Sequence, residues 1–162
     1  MTDPEPEGDG GRPVEITPSQ AEALAEKRES LFEEFDIGDR FPRAVRTEVL
    51  ERTTDVTGEI ETAVGERVDL RSLPTWTIDP VDAQDFDDAI SIAVDDAAIR
   101  LWVHIADVSH YVQPGTAMWD EAIARANTVY LPGYTVHMLP PVLAETVCSL
   151  VPAEDRLAHT VA

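Results

Sequence analysis

AISIAVDDAAIRLWVH, residues 89–104, decides how this chain folds. Two apolar runs, Ala89 to Val94 and Ile99 to His104, flank Asp95-Asp96-Ala97-Ala98, and that pattern predicts a β-hairpin. Just ahead of it lies TIDPVDAQDFDD, residues 77–88, which crowds Asp79, Asp82, Asp85, Asp87 and Asp88 into ten positions. Like charges packed beside a strand that reads as buried repel one another unless something positive sits among them.

With 32 Asp and Glu in 162 residues, ten positions would hold about two acids by chance, and these hold five. Their place sharpens the enrichment, because the strand candidate Trp76 to Ile78 precedes them and Ala89 to Val94 follows. On a regular strand Asp85 and Asp87 share one face while Asp88 takes the other. Convergence of Asp79, Asp85, Asp87 and Asp88 therefore demands a loop or a bulged strand entry, which Pro80 and the lack of alternation before Ala89 fit. Carboxylate oxygens with no Cys or His nearby suit Mg²⁺ or Mn²⁺. Such ions activate water and neutralise charge on a phosphoryl centre. A calcium loop of the EF-hand type would need Gly at its sixth position and Glu at its twelfth, and counting from Asp79 or Asp85 both are missing. A solvated acidic loop is the alternative that these residues alone leave open.

Outward from this centre, Thr17-Pro18-Ser19-Gln20 supplies a capping box with Pro at the first helical position, predicting a helix from Pro18 to Phe35 with Leu24, Leu31 and Phe35 on one side. Asp36-Ile37-Gly38-Asp39 breaks it, and Pro42 opens a second helix through Val45, Val49 and Leu50. Residues 53–72 are polar and ambiguous, with Val68 and Leu70 as their firm anchors. Thr116 to Ala126 has Met118, Trp119, Ala122 and Ile123 at helical spacing. Thr128 to Leu131 reads as a short strand closed by Pro132-Gly133, Pro141 to Leu150 as a short helix, and Arg156 to Ala162 alternates like a strand. The sum is an α+β domain: a twisted mixed β-sheet with flanking helices, carrying the acidic loop at one end. Residues 1–15 are Gly, Pro and acid, a disordered tail; 16–70 form a helical segment; 71–162 hold the chemistry.

Net charge is −20, and Lys27 is the one lysine among twelve basic residues. Such a surface suits a salt-rich, halophilic cytoplasm, where Asp and Glu keep it hydrated. Acidity ordinarily argues against nucleic acid, but in molar salt the Debye length falls to roughly 3 Å and site chemistry decides. Cys148, the sole cysteine, excludes an internal disulfide and a thiolate metal cluster, and among its apolar neighbours it reads as a small buried side chain. No apolar run approaches the about 18 residues of a membrane span, and no signal pattern opens the chain. A cytoplasmic protein is expected.

Read with its flanks, the string resembles the catalytic RNB domain of the ribonuclease II/ribonuclease R family. The resemblance rests on Leu73-Pro74, Thr77-Ile78-Asp79, Asp82-Ala83-Gln84-Asp85-Phe86-Asp87-Asp88-Ala89 and Val103-His104-Ile105-Ala106-Asp107-Val108-Ser109-His110-Tyr111-Val112. It continues through Arg125, Tyr130-Leu131-Pro132, His137-Met138-Leu139-Pro140 and Cys148-Ser149-Leu150. It implies a Mg²⁺-dependent, processive 3′→5′ exoribonuclease releasing nucleoside 5′-monophosphates from single-stranded RNA. By position Asp79, Asp85 and Asp88 match metal ligands. Asp87 matches the aspartate on which cleavage depends most, near the attacking water, and Tyr130 the tyrosine that packs on the RNA 3′ end. Asp82 matches a position that is often acidic without being a ligand.

His104 and His110 read as structural, Asp107 as the cap of a turn, and Trp102 and Trp119 as core. The family's further essential arginine and glutamate lie downstream of its matching blocks, and the chain stops inside a strand-like alternation. An incomplete RNB-type domain is expected, carrying the metal-binding half of a site with little or no turnover of its own. The competing reading is a short chain that binds RNA or a partner without cutting, for which Arg40, Arg43, Arg46 and Arg52 offer a weak basic patch.

Overall fold

The computed structural model describes residues 17–35, 37–81, 83–95, 98–131 and 133–162. The expected acidic tail, Asp36, Asp82, the Asp96-Ala97 turn and Pro132 lie outside the described residues. The chain divides into two units, 1–38 and 39–162. In the first, α1 spans Pro18–Glu34. Its capping box forms: the Gln20 N–H donates to Thr17 Oγ1 at 3.3 Å and the Thr17 N–H to Gln20 Oε1 at 2.8 Å. None of its residues is buried.

The second unit opens with α2 (Arg43–Arg52), which starts behind Pro42, and α3 (Val56–Ala63), which the polar segment had left ambiguous. Asp55 caps α3 by accepting from the Gly58 N–H at 3.0 Å. Next come β1 (Thr75–Trp76), β2 (Asp88–Val94), β3 (Ile99–Ala106), the single turn α4 (Val108–Tyr111) and α5 (Ala117–Arg125). A small hairpin of β4 (Val129–Leu131) and β5 (Tyr134–Val136), a π-helical segment Val142–Val147 and β6 (Ala158–Val161) complete it. In the π-helical segment the Cys148 N–H reaches the Leu143 carbonyl, five residues back, at 2.9 Å. Among the described residues, no helix is long and apolar enough to cross a membrane.

The α+β class holds, with one correction. Every described pairing is antiparallel, in the order β1-β2-β3-β6, where a mixed sheet was expected. Short links join β2 to β3, and the helices return the chain to β6 beside β3, so no parallel crossover arises. Two burial expectations also change. Val68 is 82% exposed and anchors nothing. Strand β2 buries only Ala89 and Ser91 fully, while Ile92 and Val94 on its other face are exposed, so the run reading as a buried strand is buried on one side.

The core lies among the helices. Val45 and Val49 of α2 meet Met118 of α5, Tyr111, Val112, Leu139, Leu143, Val147 and Cys148. Leu143 is fully buried. Cys148 is the buried side chain expected, and burial pushes its thiol up to about 12. Arg125 ties three segments together: it bonds Glu121 at 2.7 Å, the His137 carbonyl at 3.1 Å and the Arg40 carbonyl at 3.0 Å, with its guanidinium 4.0 Å over Phe41.

Candidate active site

The acidic segment leaves the sheet at Trp76 and re-enters it at Asp88, so it is a loop that hands directly into a strand. Its backbone is held from two directions. Ser149, 1% exposed, accepts from the Phe86 N–H at 3.0 Å and donates to the Gln84 carbonyl at 3.0 Å. The Leu150 N–H donates to the Phe86 carbonyl at 2.8 Å, and the Ala106 N–H, at the end of β3, to the Asp87 carbonyl at 2.9 Å. With its peptide groups satisfied from Ser149-Leu150 and β3, the loop is free to present carboxylates outward. Asp85, Asp87 and Asp88 are exposed.

Asp79 differs. It is half-buried, and its Oδ2 is buried with no hydrogen-bond partner. A buried carboxylate oxygen that has lost water and gained no donor calls for an explanation, and a hard cation supplies one. The donor set therefore fits Mg²⁺ or Mn²⁺ in chemistry. The structure does not bring the four carboxylates together: among the described residues no group of three or more His, Cys, Asp or Glu is arranged to hold a metal ion. Tyr130, on β4, is 70% exposed and has no bond to any of the four aspartates. A cavity of about 750 Å³, lined by Arg67, Thr75, Thr77, His104 and His159 among others, includes none of the four either.

Asp107 is the turn cap expected, and more. It is 2% exposed. Its Oδ1 accepts from the Ser109 hydroxyl at 2.6 Å and the His110 N–H at 3.1 Å and lies 3.0 Å from His159 Nε2, while Oδ2 takes Arg67 at 2.6 Å. Burial pushes its carboxyl up, but the bonds from Ser109 and Arg67 and the charges of Arg67 and His159 outweigh it and hold it below the usual value. His104 and His110 are structural as expected: His104 bonds Ser91 and Thr160, and His110 lies 3.3 Å from Glu59. Trp119 packs against the core, whereas Trp102 is half-buried with Arg100 5.7 Å over its ring.

Sequence reasoning missed Ser149, although Cys148-Ser149-Leu150 stood among the quoted blocks; a serine inside an apolar run was the available signal. Replacing Ser149 by Ala removes the partner of the Phe86 N–H and of the Gln84 carbonyl at a part-buried site. The expected result is a loss of about 2 kcal/mol in unfolding free energy, with faster deuterium exchange at the Phe86 amide than at amides of β3.

Residues 67–162 match the RNB domain family. Over 129 residues the chain is 46% identical to ribonuclease R of Chlamydia muridarum, an alignment covering 79% of this chain and 18% of that protein. Its fold is similar to Mycoplasma genitalium RNase R in complex with double-stranded RNA, with TM-score 0.73 and 33% identity over 82% of this chain and 23% of that one. The same enzyme in complex with ribose methylated single-stranded RNA gives TM-score 0.74 and 31% identity over 85% of this chain and 21% of that one. The chain thus spans less than a quarter of the length of these relatives.

Proposed function

The chain belongs to the RNB domain family, and from that premise we propose that it provides the acidic, cation-holding part of a 3′→5′ exoribonuclease acting on single-stranded RNA and releasing nucleoside 5′-monophosphates. The observation that carries this reading is the orphaned Asp79 oxygen at the head of a loop whose Asp85, Asp87 and Asp88 face solvent. Asp79, with its orphaned oxygen, would supply the first ligand to Mg²⁺ or Mn²⁺, and Asp85 and Asp88, which the structure leaves apart from it, would complete the set directly or through water. The ion, when bound, neutralises charge at the scissile phosphate and eases deprotonation of water. Asp87 orients the attacking water and takes up its proton, and the exposed ring of Tyr130 offers a face for the terminal base.

The deciding measurement is Mn²⁺ titration of the 162-residue chain in molar KCl, paired with shortening of a 5′-labelled single-stranded RNA in Mg²⁺ or EDTA. We expect Mn²⁺ to bind and Asp79→Asn to weaken it at least about 10-fold, because the substitution replaces a charged ligand with a neutral one. Absence of Mn²⁺ binding by the folded chain overturns the reading. RNA binding that persists in EDTA without Mn²⁺ binding would mark a non-catalytic RNA-binding chain instead. Cation binding without shortening would place turnover in polypeptide that the longer relatives have and this chain does not span.

A further inference from the structure

We propose that Thr75, Ser91, His104 and Thr160 form a directed chain of hydrogen bonds across all four strands of the sheet, which holds His104 as the Nε2–H tautomer and positions Asp79 for its cation. The four side chains come one from each strand, β1, β2, β3 and β6, in the spatial order of the sheet. Thr75 Oγ1 and Ser91 Oγ are 2.9 Å apart, Ser91 Oγ and His104 Nε2 2.9 Å, and His104 Nδ1 and Thr160 Oγ1 2.9 Å.

Proton counting sets the direction. Thr75 donates its single hydroxyl proton to the Leu73 carbonyl at 3.0 Å. The Thr75–Ser91 contact must then be donated by Ser91, whose own proton is thereby committed. Ser91 can only accept from His104, so Nε2 carries the ring proton and Nδ1 is bare. Thr160 in turn donates to Nδ1. One proton order runs from β6 to the Leu73 carbonyl, and reversing any link leaves two donors or two acceptors facing each other. The chain is buried at its centre: Ser91 is 0% and His104 6% exposed, and burial pushes the pKa of His104 down, which favours the neutral ring that the order requires.

What this order holds is the start of the acidic loop. Strand β1 has two residues and two register pairs, Thr75 with Ser91 and Trp76 with Ile90. So short a strand is weakly held by its ladder alone, and the hydroxyl chain fastens it from both Thr75 and Leu73. Three residues after Trp76 comes Asp79 with its buried, unpartnered oxygen. His104 and Ser91 are thus positioning residues, acting on Asp79 through β1. This part of the inference rests on the cation reading above; the proton order does not.

The test uses the 162-residue chain with nitrogen-15-labelled histidine. Near neutral pH the His104 ring is expected to show a protonated Nε2 and a bare Nδ1, and the opposite tautomer overturns the proposal. Thr75→Val removes the hydroxyl at an exposed position with little change in shape. It is expected to speed amide exchange at Thr77, Ile78 and Asp79 at least about 5-fold and to weaken Mn²⁺ binding by a similar factor, because the bonds to the Leu73 carbonyl and from Ser91 are both lost. His104→Gln, which keeps a donor and an acceptor, should retain more of the Mn²⁺ affinity than His104→Leu. Unchanged exchange and unchanged affinity in Thr75→Val would sink the positioning function even with the tautomer confirmed. If the wild-type chain binds no Mn²⁺, the cation reading fails by itself, and tautomer and exchange decide the chain of bonds without it.

Discussion

Replacing Asp107 by asparagine is expected to lower the thermal unfolding midpoint of this chain by about 10 °C, from a loss of about 3 kcal/mol. Asp107 is nearly fully buried, and three donors converge on its two oxygens, Ser109 and the His110 N–H on Oδ1 and Arg67 on Oδ2, with His159 Nε2 lying 3.0 Å from Oδ1. An asparagine side chain has one acceptor oxygen, so in either orientation its NH₂ faces a donor. Arg67, partly buried beside it, also loses its counter-charge. The contacts join three stretches distant in sequence, so the loss falls on assembly of the unit and not on α4 alone.

The same group sets an acid limit. Its folded pKa is depressed below the usual 3.8, so the ionised form is favoured by folding. Its contribution is fully present above the unfolded value and is lost as pH falls below about 3.8 and through the lower folded value. Asp107→Asn should therefore be less stable than wild type at neutral pH, and the gap should narrow as pH falls through that window. Denaturant midpoints at a series of pH values check this. A gap independent of pH would show that packing, and not the charge, is what Asp107 contributes.

The second large effect is on chemistry. Whatever rate of Mg²⁺-dependent 3′ shortening the chain supports should fall at least about 100-fold in Asp87→Asn, the scale expected for removing a positioned general base. The fold should be unaffected, within about 0.5 kcal/mol, as for other exposed positions. Asp87 ties into the structure through its backbone, whose carbonyl accepts from the Ala106 N–H, and its carboxylate is exposed. Asparagine keeps that peptide and the side-chain shape while removing the charge. Mn²⁺ affinity should survive in Asp87→Asn and fall in Asp79→Asn, which separates cation holding from water activation. Equal loss of Mn²⁺ affinity in both variants would make Asp87 a ligand and reassign its function.

Much of the architecture was legible because it is written in short-range patterns. The capping box at Thr17, Pro42 ahead of α2, the spacing of Met118, Trp119 and Ala122 in α5, and the paired runs of β2 and β3 each act over a few residues. The acidic loop was also legible, since five carboxylates between two apolar runs are local. Helix α3 and strand β5 were not. The first is short and polar, the second is three residues following a glycine turn, and neither carries enough periodicity to stand above its surroundings.

By itself, then, the sequence determined the hairpin, helices α1, α2 and α5 and an acid-rich loop chemically suited to a hard divalent cation, because propensity, capping and charge act between near neighbours. Only the tertiary structure decided what holds that loop. Phe86 and Ser149 are 63 residues apart, Arg67 and Asp107 40, and His104 and Thr160 56. It also decided which face of β2 is buried, where Ala89 and Ser91 lie inside while Ile92 and Val94 remain outside. Alternation in a strand shows that two faces exist; which of them meets the rest of the protein depends on segments that join only when the chain has folded.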